Sequence, residues 1–529
     1  MNIQSTASLV EYGPRRIIIT ITAVFCATLE IIDTTIVNVA LNDMRGNLGA
    51  TVNEISWVIT AYSLANVIIV PMTSWLSQQF GRRNYFVASV ILFTVCSFLC
   101  GHATGLWELV VYRFIQGLGG GALLVTSQTI ITESWPKEKR AMAQAIYTVG
   151  IIMGPTLGPT LGGFIVDRYS WPFIFYINIP VGIIAAVLSF HYVRSPKYEQ
   201  KRPANQVDWW GIGLLTIGIS SLQYVLEKGQ EADWFNSNVI VTLTFTAVLG
   251  IFLFIWRQLA YRYPVVELRV LKNGNLRIGV ILSFIMGFGL FGSTFVLPLY
   301  TQSLLGWTAM QAGMLQLPST LFMAVMMPVV AQLIQRGIAQ KYLIAVGMSI
   351  FFIYSYLAYS ILTPYTSSGD FFWILILRGL GLGFLSVPIS TMSLSTLKGQ
   401  EISQGAAFSG MMRQLGGSFG VALISTFVFR QTQVHRNTLV SYLNAYDPAI
   451  QQRVAQMAAA VQQHSGLDSL TARATAYTML DNAVNKQATL LSYMDVFLWV
   501  GVMFLVFVPV VLIFIKKGKT KLSLADAAH

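Results

Sequence analysis

Apolar residues run along this chain in long blocks, separated by short gaps that hold the turn residues and most of the charge. A helix needs about 20 mostly apolar residues to cross the hydrocarbon of a bilayer. Fourteen blocks read as such spans: 16–41, 55–77, 84–101, 106–132, 141–166, 172–193, 208–227, 238–260, 277–300, 310–334, 341–362, 371–396, 404–430 and 492–515. The breaks carry turn or charge signals, such as Phe80-Gly81-Arg82-Arg83, Trp135-Pro136-Lys137 and Gln335-Arg336-Gly337. The pattern predicts an all-α polytopic membrane protein with fourteen transmembrane helices. One gap is long, 431–491, and its Val454–Val461 stretch favours helix on propensity. A small helical lid on the outer face is expected there, with a disordered loop as the alternative.

Composition agrees: 54% of the 529 residues are hydrophobic and 11% charged, where soluble domains carry about 25% charged residues. The net charge of +12 invites a nucleic-acid reading. The basic residues lie in short gaps between apolar blocks and form no soluble face, so no nucleic-acid partner is expected. Cys26, Cys96 and Cys100 all fall inside apolar blocks and read as small core residues. The first block holds Glu30 and Asp33 and is too long for a cleavable signal peptide.

Lys and Arg fix the expected orientation. With the N-terminus inside, 23 of the 34 fall in inner gaps or the C-terminal tail, 8 in outer gaps and 3 (Arg113, Arg378 and Arg413) inside spans. Both termini are therefore expected in the cytoplasm.

The blocks also repeat. Arg113-Phe-Ile-Gln-Gly-Leu-Gly-Gly-Gly in span 4 is like Arg378-Gly-Leu-Gly-Leu-Gly in span 12, and the Gly-rich span 5 is like span 13. Either glycine-rich membrane helices simply look alike, or the chain holds two six-helix pseudo-repeats plus two inserted central helices. The second reading places a six-helix half at 1–200, the inserted pair at 201–270 and the other half at 271–529, with the outer loop 431–491 inside it. Transporters built from parallel repeats bind substrate between their halves near the midplane.

Charged side chains inside spans are functional candidates by default. Arg113 cannot lose its proton and costs about 2.5–3.5 kcal/mol to insert at mid-membrane. Glu30 and Asp33, three apart, share one helix face. Two acids so close in a low-dielectric site cannot both ionise cheaply, which suits a proton carrier and also attracts a bulky cation. Asp33 pairing with a buried arginine purely for packing is the alternative. Arg113 and Gln116 share a face, and Arg113 is a candidate to hold a carboxylate ionised until protonation releases it. Span 5 reads Gly150-Ile-Ile-Met-Gly154-Pro155-Thr-Leu-Gly158-Pro159-Thr-Leu-Gly162-Gly163. Glycines four apart let a second helix approach closely, and prolines bend a helix, so this span is a candidate gating helix. Gly81-Arg82-Arg83 makes a tight inner turn that either sets topology or takes part in a gate. Arg378 and Arg413 are placed in the second half of the cavity. Arg413 is a candidate either to bind an anionic group of a substrate or to pair with an acid such as Asp495.

No phosphate-cradling G-x-x-x-x-G-K-[ST] occurs, Gly117–Gly121 follows no strand, and the histidines 102, 191, 435, 464 and 529 have no ligand spacing. No cofactor and no metal are expected, and no catalytic residue. The energy source is then an ion gradient, worth about 2.3 kcal/mol per charge per 100 mV.

Several of these motifs resemble those of the major facilitator superfamily, in its fourteen-span drug:proton antiporters of the EmrB/QacA type. Leu29-Glu30-Ile31-Ile32-Asp33-Thr34-Thr35 is similar to that family's first-span motif and Arg113-x-x-Gln116-Gly117 to its fourth-span motif. The span-5 glycine–proline run resembles its antiporter motif, and Trp171–Gly182 its sixth-span signature. The Gly81-Arg82-Arg83 loop matches in part, with Ser74 and Gln78 standing where the family has glycine and aspartate. The long outer loop resembles the EmrB branch. The resemblance implies a proton-driven exporter of small lipophilic drugs in the bacterial inner membrane, surrounded by membrane lipids. It implies proton coupling at Asp33, Glu30 and Arg113 and substrate contacts at Glu30, Asp33, Gln116, Arg378 and Arg413. That branch further implies a periplasmic membrane-fusion adaptor (EmrA-like) and an outer-membrane channel (TolC-like). A proton-coupled nutrient symporter, or a receptor whose ligand never crosses, are the rival readings. The span-5 run and the lack of a sugar-binding polar cluster weigh against the symporter.

Overall fold

The computed structural model describes residues 9–196, 203, 206–444 and 446–514, and every regular element among them is helical. The long helices follow the apolar blocks. They are α1 (Gly13–Leu48), α2 (Trp57–Phe80), α3 (Arg82–His102), α4 (Leu106–Ser134), α5 (Arg140–Arg168), α6 (Asn178–Tyr192), α7 (Trp209–Lys228) and α8 (Asn238–Ala260). There follow α9 (Gly274–Ser303), α10 (Leu317–Gln335), α11 (Gln340–Ile361), α12 (Ser368–Leu394), α13 (Gln400–Ser441), α14 (Pro448–Ser465) and α15 (Ser469–Phe514).

Local chemistry sets the ends. Pro14 opens α1, where its missing N–H costs nothing. Gly49 closes it in the left-handed region at φ 63°. Ser367 and Asp370 form a capping box at the start of α12. The fourteen-span expectation needs one adjustment. Thirteen helices among the described residues are long and apolar enough to cross a membrane. The block at 404–430 lies within α13, which is not one of them: Gln404, Arg413, Gln414 and five glycines dilute it. The gap 431–491 is taken up by the end of α13, by α14 and by the first turns of α15, which begins well before the block at 492–515.

The outward faces are apolar. Phe245, Val248 and Phe252 of α8 are 65–68% exposed on one stripe, and Trp209 and Trp210 stand at the start of α7, as aromatic residues do at a bilayer interface. This is a multi-pass membrane protein.

Inside, the same pairings occur twice. α1 packs on α4 and α5, and α4 on α2 and α3. Correspondingly, α9 packs on α12 and α13, and α12 on α10 and α11. The two sets meet where α5 touches α10 and α12, and where α13 touches α2 and α4. α7 and α8 form a hairpin beside this seam, α7 touching both α2 and α13.

That hairpin has its own lock. Asp208, fully buried, caps α7 by accepting from the Gly211 N–H at 2.9 Å. It also accepts from Arg257 Nε at 2.6 Å and from Gln258 Nε2 at 2.8 Å, both on α8. Arg257 keeps access to water at 29% side-chain exposure, so the loss of Asp208 acts mainly through the α7 cap and the bond to Gln258. Asp208→Ala is therefore expected to lower stability by about 1–2 kcal/mol, as loss of a helix cap does, read as a drop in the thermal midpoint of the detergent-purified chain.

Candidate functional site

Asp33 and Arg113 meet in the middle of the first helix set. Both are buried, at 0% and 1% side-chain exposure, with Arg113 Nη1 donating to Asp33 Oδ2 at 2.6 Å. Desolvating two charges is costly unless further hydrogen bonds fill their remaining positions. Here they do. Gln116 Nε2 donates to Asp33 Oδ1 at 3.2 Å and Asn178 Nδ2 to the same oxygen at 2.8 Å. Arg113 Nη1 also reaches Gln116 Oε1 at 2.8 Å, and its Nε reaches the Val58 carbonyl at 3.4 Å. The guanidinium carbon lies 4.1 Å from the centroid of the Tyr62 ring, a cation–π contact that strengthens when desolvated.

Glu30 sits in a separate cradle. Its Oε1 accepts from Asn66 Nδ2 at 2.7 Å and from the Tyr62 hydroxyl at 3.3 Å, while its Oε2 has no partner. The two acids share a helix face, as the spacing predicts, but do not share donors. Tyr62 joins them, its ring under Arg113 and its hydroxyl on Glu30. Gly120 and Gly121 make the room: a methyl group on Gly120 would meet Tyr62 and Glu30, and one on Gly121 would meet Asn66.

The glycine ridge of α5 faces α1. Added carbons on Gly150, Gly154, Gly158 and Gly162 would run into Val24, Ile31, Thr35 and Ile36 respectively. The Thr35 hydroxyl crosses to the Gly154 carbonyl at 3.2 Å. Four of the motif glycines thus clamp α5 onto the helix that carries both acids, while α5 also touches α10 and α12 of the other set. Gly163 has open space around it. Pro155 is partly exposed within α5, and the side chain of Pro159 lies outside the described residues.

In the second set Arg378 is 3% exposed. It donates to Ser293 at 3.1 Å, to Thr294 at 2.5 Å and to Gln316 at 3.4 Å, and pairs with no carboxylate among the described residues. Packing also corrects its register in the repeat. Gly117 abuts α2 at Tyr62 and Gly119 abuts α3 at Ser89; likewise Gly379 abuts α10 at Ser319 and Gly381 abuts α11 at Phe351. Gly117 therefore matches Gly379, which puts Arg378 opposite Gln116 and not opposite Arg113. Arg413 is half-buried. It does not pair with Asp495, because Asp495 bonds His435 at 2.7 Å.

Arg413 instead lines a small cavity between the two sets, together with Ile31, Asn66, Gln128, Tyr147 and Phe291. α1, α2, α4, α5, α9 and α13 give this cavity its walls, and α12 gives none. Its volume is about 40 Å³, enough for a few waters and far below the roughly 300–1,000 Å³ of drug-sized pockets.

At the turn between α2 and α3 Gly81 adopts φ 82°. Arg82 makes a buried 2.6 Å ion pair with Glu133 at the end of α4, and Arg83 lies 4.3 Å over the Phe190 ring. Gln78 accepts from Gln400 at 2.7 Å, a bond from α2 to α13 that ties the two sets together.

Asn178 and Gln316 do not stand out as site residues in the sequence. Each sits two residues before a proline at a helix break, where Pro180 and Pro318 cannot donate to the preceding turn. Each break aims an amide side chain at a buried charge, Asp33 or Arg378. The readable signal is an Asn or Gln followed two residues later by Pro inside an apolar block.

A helical membrane protein with two matching helix sets, a buried acid–guanidinium centre and a cavity between the sets has the build of a rocking transporter. The sequence profile of the Major Facilitator Superfamily matches residues 23–421, and the chain belongs to that family. It is 32% identical to the fatty acid resistance protein FarB of Neisseria gonorrhoeae, over 91% of this chain and 93% of the relative. It is 31% identical to the multidrug export protein EmrB of Escherichia coli K12, over 84% and 86%. It is 28% identical to the colistin resistance protein EmrB of Acinetobacter baumannii, over 94% and 95%. The fold is shared with the human organic anion transporter MFSD10, at a TM-score of 0.58 and 13% identity, over 93% of this chain and all of that one.

Gly158→Leu is expected to force α5 off α1, costing at least about 1–3 kcal/mol as core overpacking does. Gly163→Ala, whose added Cβ meets no neighbour within 4 Å, is expected to stay within about 0.5 kcal/mol of wild type. Thermal unfolding of the two variants side by side checks the assignment of faces.

Proposed function

We propose that this chain is a proton-driven exporter of amphipathic drugs, and that Asp33 is its central proton carrier. The observation that carries the reading is the buried Asp33–Arg113 pair with its full set of donors. An ionised Asp33 holds α1, α4 and the Asn178 segment together. A proton on Asp33 replaces the charge-assisted bond with a weaker neutral one and loosens the junction. Arg113 stays charged throughout and moves toward other acceptors, the Tyr62 ring among them.

Substrate occupies the seam cavity once it widens. Arg413 offers a positive group on one wall, and Glu30 lies behind Asn66 on the other. Relatives named for fatty acid resistance and for colistin resistance fit a seam that presents both signs of charge. Apolar neighbours such as Ile31, Leu290 and Phe291 supply adaptable contact for lipophilic rings and chains. Arg378, in hydroxyl company, positions α9 against α12.

The same reading divides the chain into halves at 1–200 and 271–529 with the pair at 201–270 between them, and makes α13 the fourteenth span. It places the chain in the bacterial inner membrane with both termini in the cytoplasm, after the 23-to-8 split of basic residues. Arg82–Glu133 and Gln78–Gln400 then brace the inner gate. α14 and the first turns of α15 stand on the outer side, where a periplasmic adaptor of the EmrA kind, leading to a TolC-like channel, would dock.

Purified transporter in liposomes tests the proton role. Asp33→Asn is expected to reduce ΔpH-driven drug uptake to that of empty liposomes while drug exchange without a gradient persists. Gradient-driven uptake at the wild-type rate removes Asp33 from the mechanism. Arg113→Lys is expected to leave a deficit of at least about tenfold, because a point charge cannot serve the carboxylate, the amide and the Val58 carbonyl at once. Full activity in that variant contradicts the forked arrangement.

A further inference from the structure

A second acid lies at the seam, on α7. Glu227 Oε1 accepts from Gln223 Nε2 at 2.7 Å, one helical turn away. The same amide nitrogen reaches Ser63 of α2 at 3.1 Å and Ser418 of α13 at 3.0 Å. Gln223 is 1% exposed and is the side chain through which α7 bonds both helix sets at once. Two features of this cluster are unusual. The amide nitrogen has two hydrogens and faces three acceptors. Meanwhile two buried oxygens, Glu227 Oε2 and Gln223 Oε1, have no partner.

One proton resolves both. Placed on Glu227 Oε2, it supplies a donor for the orphaned Gln223 Oε1 one helical turn away. The competition for the amide hydrogens changes as well. An ionised carboxylate is the stronger acceptor and draws them away from Ser63 and Ser418; a neutral acid leaves them for the serines.

We propose that Glu227 is a second proton-binding position, and that its proton tightens the Gln223 tie between α2 and α13. The surroundings allow it. α2 presents Ser63 and Thr60 to this site, α13 presents Ser418, and α8 carries no acid along its length. The one nearby cation, Lys228, is held by Ser56 and by Glu231 at 2.7 Å. The inference rests on the antiport reading and adds a step to it. Glu227 lies on the Lys228 side of the membrane, outer in that reading, so a proton arriving there closes the outer seam and sends the unloaded carrier back inward.

Glu227→Gln is the informative variant. A glutamine there offers Gln223 Oε1 the same donor and mimics the protonated state, so folding is preserved. The measurement is proton release on drug binding by the detergent-purified transporter across a pH series, alongside drug exchange in liposomes without a gradient. The expected result is proton release lower than in the wild type, as one titrating position is lost, with a flattened pH profile and slower exchange, because the mimic holds the outer seam closed. Release and profile identical to wild type overturn the proposal while leaving the antiport reading intact. Absence of release from the wild type itself overturns the antiport reading. If Glu227→Gln is not recovered from membranes, Glu227→Asp, which titrates but is one methylene short of Gln223, is expected to shift the midpoint of the profile; a superimposable profile overturns the proposal.

Discussion

The ion pair between Asp33 and Arg113 organises this molecule. Each charge alone would be costly in the centre of a membrane protein, and together they still need every remaining hydrogen-bonding position filled. Three helices and one helix break supply the partners: α1 gives Asp33, α4 gives Arg113 and Gln116, α2 gives the Val58 carbonyl and the Tyr62 ring, and the break before Pro180 gives Asn178. The glycines of α4 and α5 exist in the service of that meeting, since a Cβ at Gly117, Gly120 or Gly154 would push apart the helices that carry the site. Packing and charge placement are one constraint here. A change in the charge state of Asp33 would act on four elements at once.

The second set repeats the architecture with a different chemistry. Its buried guanidinium, Arg378, faces hydroxyls and an amide where Arg113 faces an acid. Among the described residues no carboxylate stands beside it, so the set has the helix pairings of the first without its acid–guanidinium pair. Asymmetry of this kind suits a carrier in which one half senses the ion and both halves share the substrate. The hairpin α7–α8 adds a third party, bonded to each set through Gln223 and held in shape by Asp208.

Much of this is legible in the chain. Charged residues within apolar blocks cannot hide, so Glu30, Asp33, Arg113, Arg378 and Arg413 stand out from their surroundings in the sequence. The helix order follows from block length. What the chain conceals are neutral partners and three-dimensional register. Asn178, Gln316 and Tyr62 are ordinary residues whose roles arise only when a helix break or a neighbouring helix turns them inward. Glu227 lies at the edge of its block beside Lys228 and looks like a surface charge. Arg378 invites alignment with Arg113 because glycines follow both, yet helix contacts align the glycines, not the arginines. Asp495 is a plausible partner for Arg413 by sequence and belongs to His435 in space. The glycine run of α5 reads as a gate between halves; its ridge serves first to seat α5 on α1.

Solute movement, on this account, is driven by protons through a buried acid–guanidinium centre. The most direct test is flux of a lipophilic cation in liposomes holding only this protein, with ΔpH and voltage imposed and then collapsed separately. The predicted result is uphill transport with the gradient and only exchange without it. Solute flux indifferent to both ΔpH and voltage would contradict it.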